Sequence, residues 1–185
     1  FLSRFLFFFL LIRPPPRSTL SSSSAASDVY KRQGWDFEVR VMGDNSVERD
    51  SVQQAVTENQ LEDVVCFIPR QPREKVRDEL QAASALVLPS YAEGSPRVVK
   101  EAMACGCPVV TYDIPGTRML DPEEESLALV PMGDVNRLVS SIESLLSDQD
   151  RRQQKACAGR ERAVRLFAPE AVARQMFELY TSLFE

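Results

Sequence analysis

Two glutamates, Glu93 and Glu101, stand eight positions apart with Gly94-Ser95-Pro96-Arg97-Val98-Val99-Lys100 between them. An ionised carboxylate accepts two hydroxyl hydrogen bonds and suits the vicinal diol of a ribose or a pyranose. The segment between the glutamates opens a helix, whose first amides have no intrahelical partner and sit at the positive end of the helix dipole. Such amides suit a diphosphate, which the carboxylates themselves would repel. Glu93 precedes that helix end and Glu101 follows it by about one and a half turns. A phosphate held at the helix N-terminus would have a carboxylate on either side. Taken singly, each glutamate reads first as an ordinary solvated charge, since a strand, a loop and a capped helix occur in every doubly wound protein.

The elements that must position these residues follow from local chemistry. Ala85-Leu86-Val87-Leu88 has the length of a buried strand, and Pro89 stops it because proline donates no ladder hydrogen bond. Ser95 suits an N-cap, Pro96 the first helical position and Gly106 the position after the last turn, which predicts a helix over 96–105. Val98, Val99, Ala102 and Met103 share one face of it for packing on a sheet; Arg97 and Lys100 point outward, and Glu101 lies at the flank. Cys107 to Tyr112 reads as the next strand, parallel to the first and joined by a right-handed crossover. In an open parallel sheet, ligands bind beyond the carboxyl ends of the strands, where residues 90–96 lie.

Read as a whole, Glu-Gly-Ser-Pro-x4-Glu-Ala-Met-Ala-x-Gly-x-Pro-Val-Val, from Glu93 to Val110, resembles the Glu-x7-Glu region of family 4 glycosyltransferases of the GT-B fold. The resemblance extends over residues 35–184. Phe37 to Gly43 looks like the family's strand ending in glycine, Val64 to Ile68 like its next strand, and Asp113-Ile114-Pro115-Gly116 like the loop after the Val109 strand. Leu129 to Asp134 resembles the strand and turn before the closing helices. The resemblance implies an α/β fold, a Rossmann-like open parallel sheet with helices on both faces, as in the C-terminal domain of a GT-B enzyme. It also implies retaining transfer of a hexose from a nucleotide-diphosphate sugar to a glycan or lipid-linked acceptor. Glu93 then contacts sugar hydroxyls and is the catalytic candidate, while Glu101 binds the ribose. Main-chain amides of Gly94, Ser95, Arg97 and Val98 meet the sugar and diphosphate, and the backbone near Ile68 meets the base. No metal or other cofactor is expected, because oriented dipoles and cationic side chains stabilise the leaving group. Two alternatives stay open: a non-catalytic nucleotide-sugar-binding module, and a nucleotide-sugar epimerase of the same fold.

The family also carries an arginine and a lysine on the opening strand and helix of this domain, and residues 1–33 contain no such segment. Ser23 to Gln33 resembles the in-frame translation of a transposase sequencing adapter, so residues 1–33 are expected to be non-native and either disordered or a spurious helix. The apolar run Phe5–Ile12 is too short to span a bilayer and lacks a persuasive cleavage site for a leader. Residues 34–168 are expected to form part of a nucleotide-sugar-binding domain. Residues 169–185 form a closing helix that in the family packs on an N-terminal domain, which also supplies the acceptor side. Such an enzyme is expected in the cytoplasm, peripheral at the inner face of the membrane, and the chain alone is expected to be inactive.

Composition narrows the classes further. The chain carries 22 Lys/Arg against 27 Asp/Glu, and residues 1–33 hold five of the former and one of the latter; without them the net charge is −9. A chain that acidic is a poor nucleic-acid binder. It contains no histidine, and Cys66, Cys105, Cys107 and Cys157 form no CxxC pair, so they read as reduced thiols. Elsewhere, helices are expected from Ser46 to about Leu61, Arg73 to Ala83, Asp134 to Leu146 and Asp150 to Leu166. In the last helix Val172, Met176, Leu179, Tyr180 and Leu183 make an apolar stripe, read as core packing with part of it facing the N-terminal domain. Glu123-Glu124-Glu125 reads as a solvated loop run. Arg118 is either ligand-facing or an exposed loop residue.

Overall fold

The structure, a computed structural model, describes residues 9–13, 38–43 and 46–184. Six strands, β1 (Phe9–Arg13), β2 (Glu38–Met42), β3 (Val65–Ile68), β4 (Ala85–Leu88), β5 (Val109–Tyr112) and β6 (Leu127–Val130), form one sheet in the order β3-β2-β1-β4-β5-β6. The helices are α1 (Ser46–Glu58), α2 (Arg73–Ala82), α3 (Arg97–Cys105), α4 (Pro115–Arg118), α5 (Val135–Ser147), α6 (Gln149–Phe167) and α7 (Pro169–Ser182). β2 pairs with β3, β4 with β5 and β5 with β6 in parallel, as the strand–helix–strand pattern predicts. Helices cover both faces. α3 lies between α2 and α6 on one face, over a core of Leu80, Leu86, Leu88, Val99, Met103 and Val109; α5 covers the other, over Val87, Val110, Val130 and Leu145.

The sheet is mixed rather than wholly parallel, because β1 runs antiparallel to both β2 and β4. Residues 9–13 therefore depart from the disordered or helical state expected of them. The physical reason lies in their side chains: Leu11 packs into one core layer and Ile12 into the other, and both are buried. A short run apolar on successive residues can serve a strand covered on both faces as readily as a buried helix segment. The rest of residues 1–33, including the adapter-like segment, lies outside the described residues.

α3 begins one residue later than expected. Pro96, with extended backbone, takes the cap position, and no side chain caps the helix, so Ser95 is not its N-cap. Its other end matches the sequence: Gly106 adopts the left-handed conformation at φ 71°, and the amides of Gly106 and Cys107 bond to Met103 O at 3.0 Å and Ala102 O at 2.9 Å. Gly106→Ala should cost about 1 kcal/mol of stability in urea denaturation, because a Cβ disfavours that backbone region; a change below a few tenths would contradict the cap's role. Asp134 caps α5 by accepting from Arg137 N at 2.9 Å, and Asp148 caps α6, two residues ahead of the expected start, by accepting from Arg151 N at 2.9 Å.

The apolar stripe of α7 is not core. No residue of α7 is buried, and Phe177 and Leu179 are 73% and 61% exposed. Among the described residues α7 packs chiefly on α6, and Met176, Leu179, Tyr180 and Leu183 of the stripe stand exposed. Cys107 is buried, which pushes its thiol up to about 12, whereas Cys66 is exposed although it sits on a strand. No described helix is long and apolar enough to cross a membrane.

Candidate active site

The segment between β4 and α3, residues 89–96, leaves the carboxyl end of β4 as expected. Leu86, Val87 and Leu88 pair in register with Val109, Val110 and Thr111, and the Thr111 hydroxyl donates to Leu88 O at 2.8 Å, which fixes the point where the loop departs. Ser90 is buried and its hydroxyl has no partner among the described residues. From there the chain comes to the surface. Tyr91 is exposed, with its ring edge-on to buried Tyr112 at a centroid distance of 5.5 Å.

Glu93 and Glu101 are both half-buried, and no ion pair or hydrogen bond holds either carboxylate among the described residues. Gly94, Ser95 and Arg97 are exposed, Pro96 is buried and Val98 is half-buried. The first amide of the loop and helix to reach a backbone carbonyl is that of Lys100, 3.4 Å from Pro96 O. The amides of Gly94 and Ser95 before Pro96, and of Arg97, Val98 and Val99 after it, are therefore without a backbone partner among the described residues, the last three being orphan donors of the helix N-terminus. Lys100 is half-buried, and its Nζ donates to Ser95 Oγ at 3.2 Å and lies 5.9 Å from the Phe167 ring centroid.

Beside this loop, α2, α3 and the α6–α7 junction enclose a groove of about 880 Å³. Arg73, Arg77, Arg97 and Lys100 line it with only Glu74 and Glu101 opposing them, so its rim is net positive in a chain that is net negative. The groove thus takes in Glu101 and Arg97 but not Glu93, which stands outside it. Ile68 closes β3, the strand that leads into α2, and is half-buried against the core on the α2–α3 face. Sequence reasoning missed the α2 arginines, Arg73 and Arg77; their spacing of four on one helix was the available signal.

A second cluster supports the loop from the β5 side. Arg118 is half-buried and paired rather than an exposed loop residue: its Nε donates to Asp113 Oδ1 at 2.8 Å, a second nitrogen reaches Asp113 Oδ2, and a third contact joins Glu124. That hydrogen bonding holds the Asp113 carboxyl below the usual carboxylate range. Glu123 pairs with Arg162 at 2.8 Å, so two of the three consecutive glutamates are engaged rather than merely solvated. Charge runs in loops conceal such pairings, because the partners lie up to 39 residues away. Among the described residues no group of three His, Cys, Asp or Glu is placed to hold a metal ion.

Comparisons with known proteins bear on the family and the fold. The family described as Glycosyl transferases group 1 matches residues 22–162. The alpha-maltose-1-phosphate synthase of Mycolicibacterium smegmatis is 35% identical over 116 residues, covering 59% of this chain and 30% of that protein. The amylovoran biosynthesis glycosyltransferase AmsK of Erwinia amylovora is 29% identical over 164 residues, 85% of this chain and 40% of its own. Among solved structures, the sucrose-phosphate synthase of Thermosynechococcus elongatus superposes with a TM-score of 0.69 at 36% identity, over 77% of this chain and 37% of that one. HepE of Anabaena, solved in complex with UDP-glucose, superposes with a TM-score of 0.66 at 25% identity over 74% and 38%. The chain thus spans well under half the length of these relatives. With its mostly parallel sheet, its helices on both faces and the matched span, the chain belongs to the group 1 glycosyl transferases.

Proposed function

We propose that residues 68 and 90–101 form the donor side of a retaining, family 4 type glycosyltransferase, which takes a hexose from a nucleotide-diphosphate sugar. The observation that carries this reading is the set of amides on either side of Pro96 that have no backbone partner among the described residues, with the unpaired carboxylates of Glu93 and Glu101 before and after them. The diphosphate meets the amides of Gly94, Ser95, Arg97 and Val98, with the cationic rim of the groove supporting its charge. Glu101 accepts from the ribose hydroxyls, and the backbone at Ile68 meets the base. Glu93 accepts from the hydroxyls of the transferred sugar and is the catalytic candidate. As the bond to the leaving diphosphate lengthens, negative charge grows where the amide dipoles already point, and no reorganisation is needed to stabilise it. Retention follows if the acceptor hydroxyl attacks from the leaving-group face. The reading calls for no metal. The acceptor, a glycan or a lipid-linked one, belongs to a part of the intact enzyme beyond this domain, and a cytoplasmic place at the inner membrane face goes with such acceptors.

Saturation-transfer NMR with UDP, GDP and their sugars tests the reading. Transfer of magnetisation to one nucleotide and its sugar supports it; none to any of them overturns it. Gly94 supplies a further test. Its backbone is not left-handed, and a Cβ built there meets nothing within 4 Å among the described residues, whose packing gives no reason for glycine. Gly94→Ala should leave the unfolding midpoint unchanged and weaken nucleotide-sugar binding roughly tenfold, the loss of about 1.4 kcal/mol, because the ligand rather than the protein fills that space. Unchanged affinity would show that the ligand does not approach Gly94.

A further inference from the structure

A Cβ at Gly116 would stand 2.0 Å from Glu93 O, 2.7 Å from Glu93 C and 2.9 Å from Gly94 O. No real Cβ tolerates such distances, and all three atoms are backbone, so no side-chain rotation relieves them. Gly116 is buried in the first turn of α4, and its φ is not left-handed. Its glycine is therefore required by the approach of another chain segment and not by its own conformation. The segment is the peptide that carries Glu93.

The two sides of this contact differ in how firmly they are held. On the α4 side, the Thr117 hydroxyl is fully buried; it lies 2.6 Å from Tyr112 O and 3.0 Å from Ile114 O, one of which takes its proton, and it accepts from Ile114 N at 3.2 Å. Arg118 clamps Asp113, Arg162 donates to Leu120 O, and the buried Asp121 accepts from the amides of Ser126 and Leu127 at 2.8 and 2.7 Å. On the loop side, no backbone hydrogen bond involves Glu93 or Gly94 among the described residues, and the nearest anchor is the ring of Tyr91 against Tyr112. A forced separation is therefore taken up by the loop, while α4 stays in place.

We infer that Gly116 is a positioning residue: the bare face of α4's first turn is the stop against which the Glu93–Gly94 peptide rests, and it sets how far Glu93 reaches toward the transferred sugar. This rests on the donor-site reading above. Moving the peptide from 2.0 Å to an ordinary contact of 3.4 Å shifts Glu93 by about 1.4 Å, and a misplacement of even about 1 Å costs about a hundredfold where a reacting group must be aligned. Glu101, on the packed body of α3, does not move with it. The consequence is selective, since the sugar's contribution to binding is lost and the nucleotide's is kept.

The test compares UDP with UDP-glucose, and GDP with GDP-mannose, by titration calorimetry on the full chain and on Gly116→Ala, with amide spectra of both recorded without ligand. In the ligand-free spectra the Glu93, Gly94 and Ser95 amides should move while those of Thr117 and Leu120 stay. The bound pair should keep its nucleotide affinity within about twofold and lose the extra affinity the sugar confers. Tyr91→Ala, which releases the loop's other anchor at an exposed position, should reduce that same extra affinity without affecting folding, and it serves if Gly116→Ala does not fold. A sugar contribution unchanged in both variants overturns the proposal, as do unmoved Glu93 and Gly94 amides in a folded Gly116→Ala. If no nucleotide or sugar binds the unaltered chain, the donor-site reading falls, and the spectra alone then decide whether Gly116 sets the loop.

Discussion

Replacing Asp121 with alanine is expected to lower the unfolding free energy by about 3 kcal/mol, the range found when one partner of a buried charge pair is removed. The Asp121 side chain is fully buried. Its Oδ2 accepts from the amides of Ser126 and Leu127, the two residues that bring the chain into β6, and its Oδ1 lies 3.6 Å from Arg162 Nη1. That last separation is an ion pair and too long for a hydrogen bond, so Oδ1 has no donor of its own. Alanine would leave two buried amides without acceptors, each costing about 1–3 kcal/mol, and would remove one of the two carboxylates that face Arg162. Glu123, largely exposed, would compensate only in part. Asp121→Asn, which keeps one acceptor oxygen, should cost about half as much. Urea denaturation measures both, and a loss below about 1 kcal/mol for Asp121→Ala would mean that water replaces the carboxylate. Because the same turn steadies α4, the alanine variant should also blunt the sugar's contribution to binding.

Glu101→Ala and Glu93→Ala should separate binding from turnover. A carboxylate accepting from two ribose hydroxyls contributes charge-assisted bonds of about 1.5–3 kcal/mol in total when they are well formed, so Glu101→Ala should weaken nucleotide binding roughly 10- to 100-fold. Glu101 stands on the half-buried flank of α3 without a protein partner, so its removal frees no buried group and should leave stability within about 0.5 kcal/mol. Glu93→Ala should leave nucleotide affinity nearly unchanged. In the intact enzyme it should instead lower kcat and blur the choice of sugar, since in the proposed site it meets only the part of the donor that is transferred. Equal and negligible effects from both substitutions would sink the assignment.

The parts of this account legible in sequence are those with local chemical signatures. Pro89, Gly106 and the Val-rich runs place β4, α3 and β5 to within a residue or two, because proline, left-handed glycine and strand-length apolar runs act on their own segments. The glutamate pair was legible for the same reason: the loop and helix that carry it are one contiguous string. What was hidden depends on distant partners. Arg162 with Leu120 and Glu123, 42 and 39 residues apart, joins segments whose meeting only the sheet decides. The cap at Pro96 in place of Ser95 reflects a balance between neighbouring residues that propensity does not resolve. The antiparallel β1 escaped notice because an apolar run states that it is buried without stating its direction. The exposed stripe of α7 shows the converse: amphipathic spacing predicts that a face seeks a partner and does not supply one.

The most direct test of the donor site is an amide chemical-shift map of the chain during titration with UDP and, separately, GDP. The account predicts that one of them moves the amides of Gly94, Ser95, Arg97 and Val98, together with that of Ile68, along a single saturating curve. Shifts that saturate elsewhere while those five stay still, or no saturable shift with either nucleotide, would contradict it.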